Sequence, residues 1–428
     1  MEMSQTEWEE ILGSNQWEGL LEPLDLNLRN LIIRCGDFCQ GTYDSFDSDE
    51  HSKYCGSSRF GKNGFFKKVA NKLAENDYIV DSFLYATSKI NLPKAFLSFS
   101  FSNEAWSTES NWIGYIAVST DEASERLGRR EIYVAWRGTI RTLEWMNVLE
   151  AVQTSVKPLL KPELEATRVE EEHHRHWYDF FTGKNDNDDD EDDDEDDDQP
   201  KVMKGWLAVY NSANPNSQFT KLSARTQILT KIRALVTRYK DENVSVVLTG
   251  HSLGASLAIL SAFDLVENGL SKIPVTAIVF GSPQIGNNAF NGRLKTFSNL
   301  RILHVKNEID LITHYPSRLL GYAYTGVELE IDTRKSDSLK DSKNPSDWHN
   351  LQAILHIVAG WNGKDGEFDL KVKRSVALVN KSCDYLKDET LVPGSWWVER
   401  NKRMVLNEDG EWVMAVPDEE DLPALEEY

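Results

Sequence analysis

Between Val244 and Glu267 the chain reads VSVVLTGHSLGASLAILSAFDLVE, and no other stretch constrains it as tightly. Residues 244–250 form a continuous apolar run, which predicts a strand buried on both faces. The run leads without a break into Gly250-His251-Ser252-Leu253-Gly254, and an apolar helix is expected from Leu253 to about Glu267. A strand that turns straight into a helix through G-x-S-x-G makes a tight, strained corner. Glycine at 250 and 254 removes the Cβ atoms that would clash there, and Ser252 is lifted out at the carboxyl end of the strand. The helix N-terminus behind it directs its N–H groups, that of Leu253 first, at any negative oxygen forming beside the serine.

A serine hydroxyl is a poor nucleophile unless a base takes its proton and an acid orients that base. In strand–turn–helix sites of this kind the acid and then the histidine follow the serine in the chain. Asp310 closes the predicted strand in LRILHVKNEIDLITHYP, at the edge of the sheet where such an acid belongs, with Glu308 as its neighbour and rival. His349 and His356 are seven residues apart on one predicted helix, 346–358, and so are expected to face the same way. His349, near the loops, is the candidate base. His356 is the alternative, and His314 a third choice. A second N–H donor for an oxyanion has to come from another loop. Trp136-Arg137-Gly138-Thr139 ends an early strand, and the Thr139 N–H can complete the pair with Leu253; an ordinary turn would read the same. The segment after it, 140–152, carries apolar residues at helical intervals and is either an amphipathic lid or a surface helix.

The other elements alternate. Strands are expected at 131–138, 275–282 and 300–307, an edge strand at 326–332 and an amphipathic helix at 218–239, while GWLAVYN (205–211) reads as a strand end or connector. Continuous apolar strands separated by helices predict an α/β fold, a mostly parallel sheet covered on both faces. One domain over residues 1–428 is expected: an N-terminal helical extension (1–95), a catalytic core (96–365) and a C-terminal helix and hairpin (366–428) packed on it.

Composition removes several function classes. The net charge is −22, and the run 186–198 holds twelve acids and no base, leaving −10 for the rest of the chain. A chain so acidic is unsuited to nucleic acid, whose binding needs Lys and Arg, or to electrostatic docking on anionic membranes. Any membrane contact must be mainly hydrophobic. No stretch approaches the ~20 apolar residues that span a bilayer. Residues 183–200 are expected as a disordered acidic insertion, because like charges at that density stay solvated. Neither the glycine-free run 186–198 nor His173, His174 and His176 makes a recognisable metal-ligand set, so no metal and no cofactor is expected. Cys35, Cys39, Cys55 and Cys383 form no disulfide framework and are expected as reduced thiols. The first 30 residues lack the features of a signal or transit peptide, which points to the cytoplasm.

GHSLGASLAIL, AWRGTIRTLEW, FGSPQIGN and DWHNLQAILHIVAG together resemble the class 3 lipases, and more narrowly the plant cytosolic phospholipase A1 group. The likeness runs from NQWEGLLEPLDLNLRN to SWWVERNKRMVLNEDGEWVM. It implies an α/β-hydrolase fold with Ser252, Asp310 and His349 as catalytic triad, Thr139 and Leu253 as oxyanion pair and a lid at about 140–155. It implies release of the sn-1 fatty acid from glycerophospholipids at a membrane or micelle surface, without a cofactor. A lipase for mono- and diacylglycerols is the neighbouring reading, and a non-catalytic lipase-like scaffold the remote one. The acidic insertion departs from the family pattern.

Overall fold

The computed structural model describes residues 5–89, 110–139, 151–160, 199–397, 404–423 and 425–428. Among these, seven strands make one sheet: β1 (Tyr78–Ala86), β2 (Asn111–Ser119), β3 (Arg130–Trp136), β4 (Val244–His251), β5 (Val275–Phe280), β6 (Leu300–Asn307) and β7 (Val327–Ile331), side by side in chain order. β1, β2 and β3 pair antiparallel, and β3 through β7 are parallel throughout. Register sets Trp136 opposite Gly250 and His251 opposite Phe280. The carboxyl ends of β3, β4 and β5 therefore finish side by side, the place where open α/β sheets bind ligands.

Strands β3 to β6 bury alternate residues in two separate cores, whereas β7 gives Leu329 and Ile331 to the second alone. On β4, Val246 and Leu248 join one core and Val247 the other. The first is covered by α2 (Ala224–Arg238) and α3 (Leu253–Glu267), the second by α1 (Leu26–Ser45) and α4 (Leu351–Gly360). α1 begins where the Asp25 side chain accepts from the N–H groups of Asn27 and Leu28, a cap that satisfies two otherwise orphan donors. α3 buries every residue but its last, and the one acid among the buried residues, Asp264, is paired with Arg225 (2.8 Å). The expected α/β architecture with a mostly parallel sheet is present. The five strands expected from 131 to 332 and the helix 253–267 are all found.

Several elements differ from expectation. Residues Lys204–Asn211 are a helix, not a connector; Trp206, Val209 and Tyr210 fall at i, i+3 and i+4 and are all buried, a period too short in this segment to read without its neighbours. The helix expected from 218 starts only at Ala224, because Ser223 caps it by accepting from Thr226 N–H (3.1 Å). The single helix expected over 346–358 is two, Pro345–Trp348 and α4, with His349 at the break and Asn350 capping α4. The region 1–95 is not only helical, since β1 lies in it and extends the sheet. In the C-terminal part the described residues 366–397 make short 3₁₀ turns such as Val376–Lys381 in place of an α-helix. The expected hairpin is there, Met404–Leu406 against Trp412–Met414. Residues 140–150, 161–198 and His173, His174 and His176 lie outside the described residues, and with them most of the expected lid and of the acidic insertion. The end of the lid range, Gln153–Ser155, pairs antiparallel with Lys201–Met203. No helix among the described residues is long and apolar enough to cross a membrane.

Candidate active site

The corner between β4 and α3 is built on Ser252, whose backbone sits at φ 60° and ψ −127°. A non-glycine residue there stores on the order of 1–3 kcal/mol of strain and keeps it only where its surroundings over-determine it. They do so here. A Cβ on Gly250 would lie 2.1 Å from the Gly254 carbonyl oxygen, and one on Gly254 would lie 2.4 Å from that of Trp136, so the corner closes on itself and on the end of β3. The Ser252 N–H donates to the Phe280 carbonyl (3.1 Å), locking the corner to β5. The Ser252 side chain is buried, and its Oγ has no hydrogen-bond partner among the described residues.

Asp310 follows β6 and starts a 3₁₀ turn, Leu311–His314. Its Oδ1 accepts from Ile312 N–H (2.9 Å) and its Oδ2 takes Nδ1 of His349 at 2.6 Å, both side chains being buried. A carboxylate only accepts, so the His349 proton sits on Nδ1 and the Nε2 lone pair is the free, basic end. That Nε2 is buried and unpartnered among the described residues, like Ser252 Oγ. His349 is held through its main chain as well. Asn307 Nδ2 donates to the Trp348 carbonyl (2.8 Å), and His251 Nε2 lies 2.8 Å from the carbonyl of His349 itself. The imidazoles of His251 and His349 are 4.3 Å apart, centroid to centroid, so the neighbour of Ser252 is in ring contact with His349. Gly281 closes the group from β5: at φ +51° it has no Cβ, and one would lie 2.8 Å from His349 Cε1 and 3.2 Å from Asp310 Oδ2.

The rivals are elsewhere. Glu308 is on the surface, paired with Arg334 (2.9 Å). His314 is exposed and bonded to the Tyr324 hydroxyl (2.7 Å). His356 is separated from His349 by the helix break. Its Nε2 is tied to Ser336 Oγ at 2.8 Å, and burial holds its pKa down at about 4. The structure thus gathers Ser252, His349 and Asp310 at one end of the sheet and leaves His356, His314 and Glu308 in other company.

The loop after β3 reaches the same corner. A Cβ on Gly138 would stand 2.4 Å from the His251 carbonyl oxygen, and only a glycine lets the backbones approach so closely. Thr139, next in the chain, is buried with an unpartnered Oγ1 among the described residues. Leu253 opens α3, and N–H groups in a helix's first turn have no intrahelical acceptor. Arg137, fully buried, donates to the carbonyls of Trp112 (3.2 Å) and Gly138 (3.0 Å) and lies over the Phe46 ring. Burial lowers its pKa to about 10, still high enough to keep a positive charge beside the loop at neutral pH. Sequence reasoning passed over Arg137, His251 and Tyr43, although two of them stand inside the motifs it used. Among the described residues no three His, Cys, Asp or Glu side chains are gathered to hold a metal ion.

The profile of the family described as Lipase (class 3) matches residues 133–320. The chain is 56 % identical over 424 residues to "Phospholipase A1-IIdelta" of Arabidopsis thaliana, covering 99 % of this chain and 100 % of that protein. It is 53 % identical over 422 residues to "Phospholipase A1-II 5" of Oryza sativa subsp. japonica, covering 97 % of this chain and 84 % of that protein. Among solved structures, "Rhizomucor miehei lipase propeptide complex, native" aligns with a TM-score of 0.38 at 16 % identity, over 77 % of this chain and 70 % of that one.

Proposed function

The chain belongs to the class 3 lipase family, and from that premise we propose that it is a phospholipase A1, a serine acylhydrolase that frees the sn-1 fatty acid of glycerophospholipids. In this reading Ser252 Oγ attacks the sn-1 ester carbonyl as its proton passes to His349 Nε2. Asp310 keeps the other imidazole nitrogen protonated and stabilises the imidazolium. The tetrahedral oxyanion accepts from the main-chain N–H groups of Leu253 and Thr139, each such donor being worth about 10²–10³ in turnover. Collapse breaks the ester C–O bond. The lysophospholipid leaves with the proton from His349, and the acyl chain stays on Ser252. Water, deprotonated by the same histidine, then attacks the acyl ester and releases the fatty acid and the free serine.

The observation that carries this is the buried 2.6 Å bond between Asp310 and His349, with His349 Nε2 and Ser252 Oγ left buried and unpartnered among the described residues. Two buried polar groups without partners are costly, and a site that binds an ester accounts for both. We take residues 1–428 as one catalytic domain that meets its lipid at a membrane or micelle surface. All four cysteines are free thiols, in keeping with a reducing compartment such as the cytoplasm.

The test is fatty-acid release from phosphatidylcholine and diacylglycerol carrying different chains at sn-1 and sn-2, comparing wild type with Ser252→Ala. The proposal expects the sn-1 chain from phosphatidylcholine, and no release by the variant. Cleavage of diacylglycerol alone moves the substrate to neutral lipids; turnover by Ser252→Ala removes the serine mechanism.

A further inference from the structure

We propose that Tyr43 and His251 are positioning residues of this reaction, joined in one directed hydrogen-bond chain that fixes the Gly138–Thr139 loop and the main chain of His349 to each other. The inference rests on the roles given above to Ser252, His349 and Thr139.

The chain of bonds has a forced direction. His251 Nε2 lies 2.8 Å from the carbonyl oxygen of His349, and a carbonyl only accepts, so Nε2 carries the proton. His251 Nδ1 is then an acceptor, and the Tyr43 hydroxyl at 2.8 Å must donate to it. The phenol oxygen, its proton so committed, receives the main-chain N–H of Gly138. A Cβ on Gly138 would stand 2.1 Å from Tyr43 Oη, which shows how closely the hydroxyl lies on that peptide. One unbranched path therefore runs from the loop of the second oxyanion donor, through a tyrosine of α1 and the histidine beside the nucleophile, to the residue that serves as base.

The path sits on a rigid post. Tyr43 and Cys39 are one turn apart on α1, and the His251 N–H is directed at the Cys39 sulfur. Burial disfavours charge on both rings, pushing the His251 imidazole well below and the Tyr43 phenol well above their usual ranges. Both stay neutral, and the direction of the chain holds through the working pH range. The Trp348 carbonyl is fixed by Asn307 and the next one, of His349, by His251. With Asp310 on the ring, the base has no remaining freedom to drift from Ser252. Neither Tyr43 nor His251 needs to touch substrate for this. Their effect is on geometry, and misplacement by about 1 Å costs roughly 10² in turnover.

The experiment uses the full-length enzyme with p-nitrophenyl butyrate as substrate and a fluorophosphonate as serine label. Tyr43→Phe removes one oxygen and leaves Gly138 N–H and His251 Nδ1 unpaired. It is expected to lower kcat by about tenfold to a hundredfold with KM within about twofold, and to slow labelling in parallel. His251→Gln returns a donor to the Nε2 position and His251→Asn does not, so the glutamine variant is expected to turn over about tenfold faster than the asparagine one. The inference is overturned if Tyr43→Phe keeps kcat within twofold of wild type, or if the two His251 variants are equally impaired, as loss of packing alone would make them. Ser252→Ala separates the two levels. If it is inactive and unlabelled while Tyr43→Phe is fully active, the positioning role alone fails; if it still turns over, the reading of the site fails and takes this one with it.

Discussion

Replacing Gly281 by alanine would put a methyl group into the narrowest part of the candidate site. The backbone there sits at φ +51°, and its N–H is bonded to the Val305 carbonyl (2.9 Å), so the peptide cannot swing away. Holding an alanine in that left-handed conformation costs about 1–2 kcal/mol. At roughly 2.1 cal/mol/K per residue, a chain of 428 residues has a melting entropy of about 0.9 kcal/mol/K, so Tm falls by only about 1–2 °C. The effect on the site is larger. The new Cβ would stand 2.8 Å from Cε1 and 2.9 Å from Nδ1 of His349, where ordinary contact begins at 3.4 Å. The imidazole must retreat by roughly 0.5–0.6 Å, and Asp310 Oδ2, at 3.2 Å from the same methyl, is crowded with it. Catalytic groups tolerate about 0.5 Å before the rate suffers, so kcat is expected to fall by about tenfold or more. Initial rates on p-nitrophenyl butyrate and a thermal melt read both quantities. A variant that melts as expected and keeps kcat within twofold of wild type would refute the claim that this glycine leaves space for the Asp310–His349 pair.

Two further predictions concern stability and association. Burial holds His304 down at about 3 and His356 at about 4, whereas in the unfolded chain each titrates near ~6.5. A depressed folded pKa means that the unfolded state takes the proton first, so the stability is fully present above ~6.5 and is lost as pH falls toward the folded values, by about 1.4 kcal/mol per unit for each histidine. Urea midpoints at pH 7.5 and 5.0 should show the fall, and His356→Gln should remove its share of the slope; an unchanged slope contradicts the assignment. At the sheet edge, the outward main-chain groups of Phe83 on β1 are taken by Glu426 Oε1 (3.1 Å) and the Tyr428 hydroxyl (2.9 Å), and those of Tyr85 by the side-chain amide of Gln227 (2.9 and 3.0 Å). Deleting residues 425–428 opens Phe83 as a pairing edge, and light scattering should show concentration-dependent association; scattering identical to that of the full chain would show that the tail guards nothing.

What could be read from the sequence depended on how locally each feature is encoded. The corner at Ser252 was legible because strand, glycines and helix are contiguous, and Asp310 because it closes an unmistakable strand. β1 was missed because its tyrosines, Asp81 and Ser82 give no clean alternation, and its antiparallel partner β2 begins only at Asn111. The helix 204–211 is too short to show its period. Placing His349 and His356 on one helix predicted that they face the same way. The break came from Asn350, whose side chain caps α4 by accepting from Ala353 N–H (2.9 Å), and it separates the two histidines. Asparagine ahead of an apolar run is a readable capping signal, and the structure has a second one at Asn344, which caps Pro345–Trp348 by accepting from Ser346 N–H (3.1 Å). Tyr43 could not have been found from spacing at all, since it lies 208 residues before His251 and the fold alone joins them.

The claim on which the rest depends is that the sn-1 acyl chain passes through an ester on Ser252. Quenching the enzyme with acid during turnover of phosphatidylcholine with different chains at sn-1 and sn-2, then mass-analysing the peptide that contains Gly250 to Gly254, tests it most directly. The account predicts a mass increase on Ser252 equal to the sn-1 acyl group, absent from Ser252→Ala. An acyl group on another residue, or the sn-2 chain on Ser252, would contradict it.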